Sequence, residues 1–260
     1  MSEGMLFSLN KNAFLFSELV KRDFKKKYKR TYLGMLWSVI SPLMTLFIMS
    51  VVFKHFFGNE TPHYTIYLFC GNIIFSFFSD STSGGMASIL SNAGIFTKIN
   101  VPKYLFLFSR NISSLINFGL TFAVFIVFCI IDGIPPNPLF FALIIPISCL
   151  VVFNLGIGLI LSCLFVFFRD LQYLWSVFTM LLMYLSAIFY TTERFAALGV
   201  ERLFLLNPIY VYIKYFRIVV IDAALPSTQF NLLAIGYAAV AFVIGLSVYK
   251  KTNKKFLYYV

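Results

Sequence analysis

Residues 18–42 read Glu-Leu-Val-Lys-Arg-Asp-Phe-Lys-Lys-Lys-Tyr-Lys-Arg-Thr-Tyr-Leu-Gly-Met-Leu-Trp-Ser-Val-Ile-Ser-Pro, a basic run that passes directly into an uncharged apolar one. At 100° per residue, Phe16, Leu19, Val20, Phe24 and Tyr28 fall on one side of a helix. Lys21, Arg22, Lys25, Lys26, Lys29 and Arg30 fall on the other, and Lys27 breaks the pattern. An apolar face opposite a Lys/Arg-rich one marks a helix lying in a membrane interface, its basic side toward anionic headgroups and water. The join at Tyr32-Leu33-Gly34-Met35-Leu36-Trp37 is therefore predicted to be where a segment lying on a membrane turns to cross it.

Composition supports a membrane solvent. The chain is 60% hydrophobic and 12% charged, with mean hydropathy +0.87, whereas soluble domains carry about 25% charged residues. Hydrocarbon is crossed by about 20 apolar residues in helical form. Six stretches qualify, at about 33–56 (with Pro42 inside), 64–86, 105–131, 139–167, 171–191 and 230–249. The boundary of the second, beyond Asp80 and Ser81-Thr82-Ser83-Gly84-Gly85, is the least sharply written. Residues 88–104 are mixed and contain Pro102, which predicts a loop with a short helix. Between 192 and 222 two short apolar pieces flank Asn207-Pro208. Neither is long enough to cross, so a hairpin that dips into the membrane and returns is expected there.

The expected fold is thus an all-α integral membrane domain over 1–260. It has an amphipathic interface helix at 14–32, six transmembrane helices and a re-entrant external hairpin at 193–217. Lysines and arginines orient it. Eight precede the first span, three lie around the loop after the second, Arg169 follows the fourth and four end the chain, against five on the opposite side. Both termini are predicted to be cytoplasmic. The first 30 residues show no cleavable signal pattern.

Several chemistries are missing. Cys70, Cys129, Cys149 and Cys163 sit in apolar runs without metal or redox spacing and read as small core residues. His55 and His63 share one predicted external loop with no nucleophile or carboxylate pair beside them. No GxxxxGK[ST] occurs, so ATP is not expected to bind here through a P-loop. The spans are almost free of charge, with Asp80 assigned to the interface, which argues against an ion-coupled carrier. The expected chain is not an enzyme and holds no metal or cofactor of its own.

Four motifs stand in order on this frame: Leu19–Tyr28 followed by Leu33-Gly34-Met35-Leu36-Trp37 and Pro42; Phe96-Thr97-Lys98-Ile99 with Val101-Pro102; Phe167-Phe168-Arg169-Asp170; and Leu206-Asn207-Pro208-Ile209. Together they resemble the permease subunits of type-2 ABC exporters that move O-antigen, capsule polysaccharide and wall teichoic acid. The resemblance covers nearly the whole chain. It implies a homodimer in the bacterial cytoplasmic membrane, driven by two separate nucleotide-binding subunits that carry the ATP and Mg, with an undecaprenyl-type lipid-linked polymer as cargo. It further implies contact with the ATPase subunits through Phe96, Lys98, Pro102, Arg169 and Asp170, and an external gate at Asn207 and Pro208. The lipid head group would enter beside Lys21, Arg22, Lys25 and Arg30.

Aromatic faces and hydroxyls suit a sugar path, for which Phe47, Phe53, Tyr67, Tyr184, Phe189 and Tyr190 are candidates, as is Ser186. The residues alone leave alternatives open. Arg169-Asp170 is either a lever or a paired membrane boundary, and the lysines either touch substrate or only obey the positive-inside rule. A drug, lipid or peptide exporter of the same superfamily is the second reading, and an ion-coupled carrier or channel the third.

Overall fold

The computed structural model describes residues 13–28, 33–57, 62–98, 101–135, 137–192 and 201–259. These form helices and turns, with no strand among them. The helices are α1 (Ala13–Tyr28), α2 (Trp37–Phe57), α3 (Tyr64–Ser91), α4 (Ala93–Phe96), α5 (Tyr104–Ile131), α6 (Ile144–Phe167), α7 (Leu171–Leu185), α8 (Glu201–Phe204), α9 (Pro208–Val220), α10 (Thr228–Thr252) and α11 (Phe256–Tyr259). By length and composition three are apolar enough to cross a membrane: Tyr104–Ile131, Pro138–Phe167 (a 3-10 turn leading into α6) and Thr228–Thr252. Trp37–Phe53 and Leu171–Leu185 are shorter apolar helices. α3 matches α5 in length, but carries the polar and small run Ser79–Gly85 in its second half.

Helices α3, α5, α6 and α10 form the centre, with α6 packed most extensively on α10 and α3. Small residues allow the closest approach. A Cβ on Gly156 of α6 would strike the Ala241 backbone of α10, and one on Gly245 would strike the Gly156 carbonyl. In a lipid solvent, where apolar burial gives helices no advantage over tails, such backbone contact is a main source of association. Gly85 of α3 and Gly158 of α6 both close on Leu107 of α5, so three helices meet at one level.

Three predicted boundaries move. α3 runs on to Ser91, past the expected 86, because nothing in Ser81–Ile89 breaks a helix; Thr82 and Ser88 turn their hydroxyls onto the carbonyls of Phe78 and Gly85. α2 continues through Lys54 and His55, which were expected in a loop; no Gly or Pro stands before Gly58. The fifth span, expected to reach 191, ends its helix at Leu185. There Ala187 takes φ 49°, and the carbonyls of 187–190 bond to side chains of other helices instead of to their own.

α1 packs along α5. Its covered face holds Leu19 and, half-buried, Phe16, as the periodicity predicts, but it also holds Asp23, only 9% exposed. Ser109 of α5 donates to Asp23 Oδ2 at 3.0 Å, so this carboxylate pins the helix to its neighbour.

Candidate functional site

Two ends of the bundle carry the predicted site residues. The basic end gathers α1, α4, the 97–103 turn, the 168–170 turn and α11. Phe96 is buried, its ring 6.2 Å from Phe106. Lys103 lies 5.5 Å over the rings of both Phe96 and Phe256 and donates to the Asn253 carbonyl at 3.1 Å. Burial pulls the Lys103 ammonium below the usual lysine range. Phe96 therefore anchors an elbow from beneath, while Lys98 is exposed and Pro102 half-buried.

Arg169 and Asp170 are both exposed in the tight turn between α6 and α7, and among the described residues neither makes an ion pair. The turn is held by backbone bonds, with the amides of Tyr173 and Leu174 donating to the Asp170 carbonyl. Lys21 and Lys25 of α1 are exposed, and Lys21 pairs with Glu18 at 2.9 Å. Arg22 pairs with Asp23 at 2.7 Å. Arg30 lies outside the described residues.

Polar residues then climb α3 and α5 in two clefts. The one nearer the basic end encloses about 340 Å³ and is lined by Arg22, Ser88, Asn92, Phe106 and Arg110, among others. The one deeper along the helices encloses about 400 Å³ between α2, α3 and α5, with Ser38, Thr45, Asn72, Asp80, Ser114 and Asn117 on its walls. The boundary between them is an ion pair. Arg110 Nη2 donates to Asp80 Oδ1 at 3.2 Å, and Ser114 donates to Asp80 Oδ2 at 2.8 Å.

The far end is built on a captured strip of backbone. Arg217 of α9 is 7% exposed. Its guanidinium lies 3.4 Å from the Tyr67 ring centroid and donates to the carbonyls of Ala187 at 2.9 Å, Ile188 at 3.1 Å and Tyr67 at 3.3 Å. Tyr64 donates to the Phe189 carbonyl and Tyr67 to the Tyr190 carbonyl, each at 2.7 Å. Irregular backbone at depth must have its carbonyls satisfied, and here side chains do so one after another. Gly71 gives the strip room, since a Cβ there would press on Ile188 at 3.0 Å.

Asn207 caps α9 by accepting from the Ile209 amide at 3.0 Å, donates to Ser186 at 2.9 Å, and precedes Pro208 at the first helical position. This pair thus ties α9 to the end of α7. Of the aromatic candidates, Phe53 stacks on Phe189 at 4.5 Å, with Tyr184 5.9 Å from Phe189. Phe189 is buried, while Tyr184 and Phe47 are exposed, Phe47 on a different part of the surface of α2. The hydroxyls of Tyr67 and Tyr190 are committed to carbonyls.

Sequence reasoning passed over Asp23, Tyr64 and the structural part played by Arg217, and it placed Asp80 and Arg110 without joining them. One signal was present. Asp80 to Arg110 links the polar stretches of two helices, and a carboxylate and a guanidinium in neighbouring apolar spans seek each other.

The family model described as "ABC-2 type transporter" matches residues 15–221. Along 258 residues, covering 98% of each chain, the protein is 28% identical to the O-antigen export system permease protein RfbA of Klebsiella pneumoniae. It is 23% identical to the protein of that name from Myxococcus xanthus over 93% of this chain and 94% of that one. The polysialic acid transport protein KpsM of Escherichia coli is 23% identical over 92% of this chain and 93% of its own. With the matched region running from α1 through the end of α9, and the helices assembled as an integral membrane bundle, the chain belongs to the ABC-2 type transporter family.

Proposed function

We propose that this chain is the membrane-spanning subunit of an ATP-driven exporter that carries a lipid-linked polysaccharide across the bacterial cytoplasmic membrane. The observation that carries this reading is the end-to-end similarity to permeases named for O-antigen export, and to one named for polysialic acid transport. Helices α2, α3, α5, α6, α7 and α10 are the six spans, both termini face the cytoplasm, and α8 with α9 forms the re-entrant external gate. Two copies assemble with the conduit between them. The surface of α7 supports this: Tyr173, Val177, Met180, Leu181 and Tyr184 are all exposed on one protomer. ATP is hydrolysed by two separate subunits.

The basic end is then the side where energy enters. Lys98, Pro102, Arg169 and Asp170 meet the ATPase, with Phe96 supporting the elbow from below. Lys21, Arg22, Lys25 and Arg30 attract the lipid's diphosphate. Tyr184 and Phe47 offer aromatic faces to sugars, with Phe53, Tyr67, Phe189 and Tyr190 behind them, and Asn207-Pro208 sets the gate.

Deleting the gene should leave lipid-linked polymer trapped on the cytoplasmic side, and the wild-type chain should restore its surface display. Normal display in the deletion strain would refute the reading. Within it, Arg169→Ala or Asp170→Ala should uncouple ATP hydrolysis from export about tenfold, judged from the loss of one charge-assisted contact. Unchanged coupling removes the turn from the ATPase contact. Replacing Lys25, Lys26 and Lys27 together by Gln should lower export while the protein stays folded in the membrane.

A further inference from the structure

We infer that the cleft between α1, α3 and α5 is a binding site for the phosphate or diphosphate group of a membrane-anchored lipid, opened when Arg22 and Arg110 leave their carboxylates for the ligand. Only the identity of the natural ligand rests on the exporter reading; the chemistry of the cleft stands apart from it.

The first argument is the donor set. Ser88 gives its hydroxyl hydrogen to the Gly85 carbonyl at 2.6 Å, and the Asn92 amide donates to the Ser88 carbonyl at 2.7 Å. These groups are turned inward on their own helix. What the cleft can offer a ligand is therefore guanidinium N–H. Each arginine has five such donors. Among the described residues Arg110 gives one hydrogen bond and Arg22 two, both of the latter to the same Asp23 oxygen. Two planar forks with unspent donors facing one space of about 340 Å³ match the charge and geometry of a phosphate.

The second argument is that the carboxylates are provided for when the arginines move. Asp23 keeps the Ser109 hydroxyl at 3.0 Å, and Asp80 keeps that of Ser114 at 2.8 Å. A carboxylate meant only as a static partner for arginine has no need of this second donor. The arginines are also loosely held for groups so placed, with 39% of the Arg22 side chain and 22% of the Arg110 side chain exposed. Gly84 completes the arrangement, since any Cβ there would strike the Arg110 guanidinium. The glycine is the slot through which Arg110 reaches across α3.

The third argument is position. The cleft opens beside α1, whose exposed face carries Lys21 and Lys25, and beyond Arg110 the polar lining continues along α3 and α5 into the deeper cleft. A headgroup bound at Arg110 would break the Asp80 pair that divides the two spaces. A lipid phosphate, with its tail in the bilayer alongside, suits this place better than a soluble anion.

The test uses the purified full-length protein in detergent and farnesyl diphosphate as probe, with farnesol and inorganic diphosphate as comparisons. Arg22→Gln and Arg110→Gln should each weaken farnesyl diphosphate binding about tenfold, the usual scale of one charge-assisted contact. Asp80→Asn frees Arg110 and should tighten binding several-fold. A purely structural ion pair predicts the opposite for Asp80→Asn, which also guards against misreading an arginine variant that folds poorly. Gly84→Ala should weaken binding without removing any charge. Farnesol should not compete. Competition by inorganic diphosphate as strong as by the prenyl form would overturn the lipid source and assign the cleft to a soluble phosphate. Wild-type affinity in both arginine variants, or weakening by Asp80→Asn, would overturn the site itself. A chain that binds the probe as expected but exports no polymer leaves the site standing and removes the proposed function.

Discussion

Arg110 and Arg217 are both arginines within an apolar bundle, and the structure treats them oppositely. Arg217 is sealed, flat on Tyr67, with its N–H groups spread over three backbone carbonyls from two segments. Arg110 is partly open, sits at a cleft and touches Asp80 through a single nitrogen. The first arrangement satisfies groups that have no other partner and is closed to exchange. The second leaves every group an alternative. A buried cation bound by backbone serves architecture, whereas a cation bound by a carboxylate with a spare donor nearby is suited to exchange.

The contrast can be broken most directly at Arg217. Arg217→Met should destabilise the protein by about 3 kcal/mol, because three carbonyls lose charged donors at once while the cavity stays filled. Thermal unfolding in detergent measures this, and a shift no larger than that of an Arg110 variant would erase the distinction. Tyr64→Phe removes one donor from the same strip, at the Phe189 carbonyl, and should cost about 1 kcal/mol on the same scale. Asp80→Asn should cost the least, below about 1 kcal/mol, since a partly exposed ion pair contributes little to stability. If Asp80→Asn instead unfolds the chain as Arg217→Met does, both arginines are architectural.

The helices were legible because hydrocarbon leaves few options: long apolar runs had to be helices, and the loop signals at Pro102, Asp132-Gly133 and Asn207-Pro208 fell between them. The amphipathic face of α1 was legible for the same reason, except at Asp23, whose burial depends on Ser109, 86 residues away. The end of α7 was hidden by similar means. Ser186 to Thr191 looks like more span, and nothing local says that Ala187 turns left-handed. The cause lies in Tyr64, Tyr67 and Arg217, which take the carbonyls away. The motif positions Asn207 and Pro208 could be read as a cap from their order alone. Whether an aromatic faces a conduit or a core could not, since that depends on a neighbour such as Phe53 against Phe189.

The elbow at the basic end joins parts of the chain that are made far apart in time. Lys103 reaches the Asn253 carbonyl and the Phe256 ring, 150 residues further on, and Phe256 is completely buried there. On a ribosome, Phe96 and Lys103 emerge well before their partner exists. The elbow can close only after α10 has entered the membrane and α11 has followed it. Its closure therefore marks the completion of insertion, and a chain arrested before α11 would present an open, greasy notch beside a buried lysine for quality-control proteases to find.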